Sequence, residues 1–186
     1  MALTQIDDVA ALVVIDLQKG IIALTTSQPT TEVIDRSVQL ARAFRERGWP
    51  VILVNVAGMA PGRTDVKRNF SAPPDWAELV PELDRQSSDY TVTKMQIGAF
   101  YGTALEQILR RRGVTQVFLA GISTSAGVEA TARNAYDRGY NVVLVVDAMT
   151  DRDVGAHQHS VENVFPRIAE TATTDEVLAQ LERHGR

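Results

Sequence analysis

Residues 113–135, GVTQVFLAGISTSAGVEATARNA, decide the fold. Residues 114–122 are a short run rich in apolar and β-branched side chains, as in a strand covered on both faces. Gly121 gives the backbone freedom where the strand ends. Ser123, Thr124 and Ser125 then offer hydroxyls for a helix N-cap. Val128, Ala132 and Ala135 follow at i, i+4 and i+7, one face of a helix. A strand, a sharp turn and a helix in this order place the turn at the C-terminal edge of a parallel sheet. Ligands bind in that crevice in open α/β sheets, and a helix N-terminus favours anions. Gly127 stands out because it lies in the first helical turn, where glycine mildly weakens a helix.

The same alternation extends to both sides. Residues 11–15 (ALVVI) predict the first, central strand, with Asp16 at its C-terminal tip. A loop over 17–29 leads to an amphipathic helix over 31–47, with Val33, Val38, Leu40, Ala41 and Phe44 inward and Gly48 as the stop. Residues 51–56 predict a second buried strand, and the Gly, Pro and charge-rich stretch 57–71 a long loop. PPDWAELVPEL predicts a short helix starting at Pro74 or Asp75 and ending before Pro81. Residues 90–95 predict a strand, GAFYG (98–102) a turn, and Thr103 caps a helix through Arg112 closed by Gly113. Beyond Gly139, residues 141–146 predict a strong strand ending in Asp147, and 153–165 a helix stopped by Pro166. Residues 168–171 predict a weak strand, and Thr174 caps a last helix to Arg183. Strands alternating with helices predict one α/β domain over 1–186 with a mostly parallel sheet and right-handed crossovers.

Composition removes several function classes. The net charge of −4 argues against nucleic acid as the main partner; Arg110, Arg111 and Arg112 close a predicted helix, where cations suit its dipole. With no cysteine there is no disulfide, no Cys metal site and no Cys nucleophile. The N-terminus is acidic and lacks the apolar core of a signal peptide, and no apolar run reaches the ~20 residues a membrane span needs. A cytoplasmic protein acting on a small molecule is the expectation.

Polar residues follow the apolar runs at three strand tips: Asp16, Lys94 and the turn at Ile122, Ser123 and Thr124. Tips on one edge of a parallel sheet converge in space. An acid beside a lysine is pulled two ways, since the ammonium keeps the carboxylate ionised while burial favours the neutral acid. Gln18 is a candidate to face substrate or to bond its own loop, and Phe100 and Tyr101 to wall a pocket or seal the core. Thr124 and Ser125 are read as caps or substitute nucleophiles, and Arg63 and Lys67 as solvated charges or contacts for an acidic substrate. His157 and His159, two apart on a helix, point to different sides and do not make a metal pair. Asp147, with Thr150, is read as fixing a loop.

The motifs ALVVIDLQ (11–18), TKMQIGAFYGT (93–103), GISTSAGVEATARNA (121–135) and GYNVVLVVDAMT (139–150) occur in an order that resembles the isochorismatase-like hydrolase superfamily, also called the cysteine hydrolases. The resemblance covers nearly the whole chain. It implies a three-layer α/β/α, Rossmann-like domain with a six-stranded parallel sheet, and a homo-oligomer, with the helix over 153–165, Phe70 and Trp76 as interface material. The family's catalytic Asp, Lys and Cys match Asp16, Lys94 and Gly127. Glycine cannot form the acyl-enzyme of the amidase members. The isochorismatase members proper also carry glycine there, and use the Asp to protonate a vinyl ether. Their substrate-loop features are not reproduced by STS at 123–125, so the chain is more similar to a branch of small single-domain members.

The resemblance also implies a cis Ile122–Ser123 bond, and turn amides around Ser123 and Gly127 aimed at one point, with Ile122, Ser123 and Thr124 near substrate. The metal site that many amidase members carry after the second strand has no counterpart, because NVAGMAPGRTD contains no histidine. No metal or other cofactor is expected.

Overall fold

The computed structural model describes residues 3–24, 26, 29–65 and 72–184. Lys67 and Phe70 lie outside the described residues. Six strands form one all-parallel sheet: β1 (Ala10–Ile15), β2 (Val51–Val56), β3 (Tyr90–Lys94), β4 (Gln116–Ile122), β5 (Asn141–Thr150) and β6 (Glu170–Ala172). Their spatial order is β3-β2-β1-β4-β5-β6, so the chain winds outward in both directions from the β1–β4 pair. A ligand crevice opens at such a reversal, beyond the C-terminal strand ends.

Helices cover both faces, which is why β1 is buried at every position. Alternate residues feed two cores. Ala10, Leu12 and Val14 join the core beneath α2 (Thr30–Glu46) and α6 (Thr174–His184). Ala11, Val13 and Ile15 join the core beneath α3 (Leu105–Arg111) and α4 (Glu129–Asp137). Val128, Ala132 and Ala135 are fully buried, as their spacing requires.

Four local readings need correction. The loop after Asp16 contains a one-turn helix, α1 (Lys19–Ile22). The helix expected near Pro74 does not form; residues 74–77 are turns. Backbone groups that would build it bond instead to the loop after β1, as in Lys19 N–H to Glu78 C=O at 2.9 Å and Val80 N–H to Leu17 C=O at 3.1 Å. β5 does not end before Asp147. The β4–β5 pairing shifts register between Leu119 and Gly121, and the strand resumes with Met149 and Thr150 as partners of Gly121 and Ile122. Asp147 lies within the strand, ion-paired to Arg36 and accepting from Thr174 N (2.8 Å) and Oγ1 (2.9 Å). Thr174 is therefore not the cap of α6. Thr173 and Glu176 form a reciprocal capping box there, at 2.8 and 3.3 Å.

The helix expected over 153–165 is α5 (Val154–His159), followed by a π-type turn (Ser160–Val164) and a 3-10 turn (Phe165–Arg167), with the Asp153 carboxylate capping Ala156 N. No helix among the described residues is long and apolar enough to cross a membrane.

Candidate active site

Asp16 leaves β1 with φ of +52°, a left-handed conformation uncommon for a residue with a side chain. The chain thereby turns out of the sheet at its C-terminal edge. Lys94 ends β3, two strands away in the sheet order. Its long side chain spans β2 and brings Nζ to 2.8 Å from Asp16 Oδ2. Both residues are buried, Asp16 at 5% exposure and Lys94 at 2%. The ammonium also donates to the carbonyls of Ile97 (2.9 Å) and Gln96 (3.3 Å), so its three protons face three acceptors. Asp16 Oδ1 is buried with no hydrogen-bond partner among the described residues. Burial raises the Asp16 carboxyl from 3.8 to about 6, against the opposing pull of the Lys94 charge.

The turn after β4 closes over this pair. Gly121 has φ of +115°, and a Cβ there would overlap the backbone of Ile15. Residues Thr124–Val128 form a π-type turn, and the Ile122–Ser123 peptide bond is cis. A Cβ on Gly127 would lie 3.3 Å from Asp16 Oδ2, 3.0 Å from Ile15 Cγ2 and 3.5 Å from the Ile122 carbonyl oxygen. Gly127 therefore lets the turn's backbone approach the carboxyl closely, and little room is left between them.

The turn's hydroxyls do not cap the helix. Thr124, fully buried, has Oγ1 2.8 Å from Nδ1 of His157. Burial lowers the His157 pKa, while Asp151 pulls it up. Ser125 donates from both its N–H (2.7 Å) and its hydroxyl (2.8 Å) to Asp151 Oδ2. Asp151 is buried, and its Oδ1 accepts from Arg152 N at 2.7 Å and Asp153 N at 3.3 Å. A carboxylate from the β5–α5 junction thus satisfies the turn's exposed amide. Sequence reasoning misses Asp151, because the apolar run over 141–146 predicts a strand that ends in Asp147. The apolar pair Ala148 and Met149, followed by D-x-D ahead of a helix, was the available signal.

Two proposed substrate contacts are reassigned. The Gln18 amide is fully buried and already bonded to Val56 N, Val56 O and Trp76 O at 2.7, 3.0 and 3.0 Å. Phe100 is core: Arg138 lies over its ring at 4.9 Å and the Tyr140 ring is 6.1 Å away. Tyr101 is exposed instead. Ile122 packs its side chain in the core and turns its carbonyl toward Gly127, and Ser123 is half-buried. Arg63 and His159 are exposed, and Trp76 is half-buried with its ring against Gly20. Among the described residues no group of three or more His, Asp and Glu side chains is arranged to hold a metal.

The isochorismatase domain matches residues 10–176. The chain belongs to the isochorismatase family. The family protein YecD of Escherichia coli O157:H7 is 42% identical, with 92% of this chain and 95% of that one covered. YwoC of Bacillus subtilis is 41% identical, with 92% and 93% covered. The structure of an isochorismatase family protein from Burkholderia thailandensis superposes with a TM-score of 0.92 at 41% identity, covering 96% of this chain and 98% of that one. More distant family relatives include the isochorismatase of Bacillus subtilis, 28% identical over 93% of this chain and 58% of that protein. Another is the ureidoacrylate amidohydrolase of Variovorax paradoxus, 27% identical over 91% and 80%.

Proposed function

We propose that this isochorismatase-family hydrolase works without a covalent nucleophile, with Asp16 as general acid toward a small carboxylated substrate of the vinyl-ether class. One observation carries the reading: the Asp16 carboxyl, raised to about 6, has Oδ2 on Lys94 and Oδ1 buried without a partner among the described residues. A carboxyl in that range keeps its acid form up to about pH 6, well above an ordinary Asp, and gives the proton up readily. The proton moves from Oδ1 to the methylene carbon of the enol ether, leaving an oxocarbenium ion. Water adds to the ether-bearing carbon of that ion and returns a proton to the carboxylate. The hemiketal then collapses to an alcohol and a keto acid. Lys94 orients the carboxyl and stabilises the anion formed when the proton leaves. Gly127 has no side chain with which to form an acyl-enzyme. An isochorismatase among the relatives agrees with this chemistry.

The test is pyruvate release from isochorismate, followed by a coupled NADH assay. Asp16→Ala should lower kcat/KM by about 10²- to 10⁴-fold, the usual worth of a positioned acid. In the wild type kcat/KM should fall about tenfold per pH unit above 6, as the acid form is lost. Equal, slow release by the wild type and the variant would sink the reading.

A second reading, a ligand-binding member that kept the fold without the chemistry, is favoured by how closed the pair is. The Asp16 and Lys94 side chains are only 6% and 2% exposed. It predicts saturable binding of small carboxylates with no turnover.

A further inference from the structure

We infer that Gln18 is a positioning residue whose side-chain amide stands in for one step of the β1–β2 ladder and thereby sets the spacing between Asp16 and Lys94. The inference deepens the reading of Asp16 as the acid and uses a different observation. In the β1–β2 ladder Leu12 N–H donates to Pro50 C=O, and Asp16 N–H donates to Val54 C=O. The same offset would next pair the Asp16 carbonyl with Val56 N–H, and the residue 18 amide with the Val56 carbonyl. The chain does neither, because it turns out of the sheet at Asp16. The Asp16 carbonyl instead accepts from Gln18 N–H at 2.9 Å.

Val56 is nonetheless paired. Its N–H donates to Gln18 Oε1 at 2.7 Å, and its carbonyl accepts from Gln18 Nε2 at 3.0 Å. A side-chain amide has the donor and acceptor of a peptide group on a longer arm, so it fills the place the backbone left. The second Nε2 proton goes to the Trp76 carbonyl, which ties down the segment lying against Gly20.

Val56 is also the register partner of Lys94 across β2 and β3. The Lys94 carbonyl accepts from Ala57 N–H at 2.9 Å. Gln18 therefore joins the turn that carries the acid to the register pair of Val56 and Lys94. Without its amide, the half-buried Val56 would lose the partners of both its N–H and its C=O, and β1 would be drawn toward a regular ladder in which Asp16 no longer turns out of the sheet.

The experiment is a ¹³C NMR titration of the side-chain carboxyls in Gln18→Met, which keeps length and loses all three hydrogen bonds. The Asp16 signal is assigned by its loss in Asp16→Asn. Leu181→Ala, in the core beneath α6, serves as a destabilised control. The Asp16 midpoint should move by about 0.5 or more on the pH scale in Gln18→Met, since both its distance to Lys94 and its burial change. It should stay at the wild-type value in Leu181→Ala. A midpoint that moves less in folded Gln18→Met, or equally in the control, overturns the inference and makes Gln18 a structural residue only. If Gln18→Met does not fold, Gln18→Asn, too short to reach Val56, is read by the same criterion. The titration contains no substrate, so failure to hydrolyse isochorismate would count against the proposed function alone.

Discussion

Asp16 is the residue on which opposing forces meet. Burial favours its protonated form, Lys94 favours its anion, and the balance lies near 6. The consequence for stability has a definite sign. The folded chain binds this proton more tightly than the unfolded chain, whose Asp titrates near 3.8. Below both values the proton is bound in either state and there is no penalty. Between them the unfolded state gains by releasing it, so stability falls as pH rises, and above about 6 the penalty is complete. A rise of roughly two pH units corresponds to about 3 kcal/mol. The unfolding free energy of wild type minus that of Asp16→Asn should therefore drop by about 3 kcal/mol between pH 3.5 and pH 7. Urea unfolding of both proteins at each pH measures it; a flat difference would mean that Lys94 cancels the effect of burial, and a rising one that it outweighs burial. Asp16 was legible in the sequence because it follows the apolar run ALVVI, and Lys94 because it ends an alternating strand; the orphaned Oδ1 was not, since it depends on which distant segments approach it.

At the scale of the strand–turn–helix element, two glycines do different work. Gly121 passes so close to β1 that any Cβ meets the Ile15 backbone, and its φ of +115° is itself unfavourable for other residues. Gly121→Ala should cost at least about 3 kcal/mol, because neither strand can give way. At Gly127 the nearest atom to a new Cβ is the side-chain methyl Ile15 Cγ2, at 3.0 Å, which can shift. Alanine there also gains about 1 kcal/mol of helix propensity. Gly127→Ala should stay within about 1.5 kcal/mol of wild type, its small overpacking cost set against that gain. Chemical denaturation separates the two cases, and equal losses would contradict this contrast. The sequence marks both positions as glycine without ranking them, because the ranking comes from the distance to a strand more than a hundred residues earlier. The same element shows why its hydroxyls were misread. Local spacing suggests N-caps, while the partners, His157 and Asp151, come from α5 and the β5–α5 junction.

For the whole molecule, one sheet carries a core on each face, and β1 and β4 contribute to both. Loss of either core strips cover from strands the other core shares, so neither half can persist alone. Scanning calorimetry should show one unfolding transition with calorimetric and van't Hoff enthalpies in agreement, and two resolved transitions would contradict a single domain over 1–186. The chain by itself determined the α/β class, the alternation of strands and helices, the tip positions of Asp16 and Lys94 and the lack of a thiol. These are properties of local apolar periodicity and residue identity. Only the tertiary structure decided the shift in β5 that makes room for Asp151, the turn in place of a helix at 74–77, the core placement of Phe100 and the backbone-like role of the Gln18 amide. Each of these is settled by which distant backbone group still needs a hydrogen bond or which ring still needs cover, and a one-dimensional pattern does not record that.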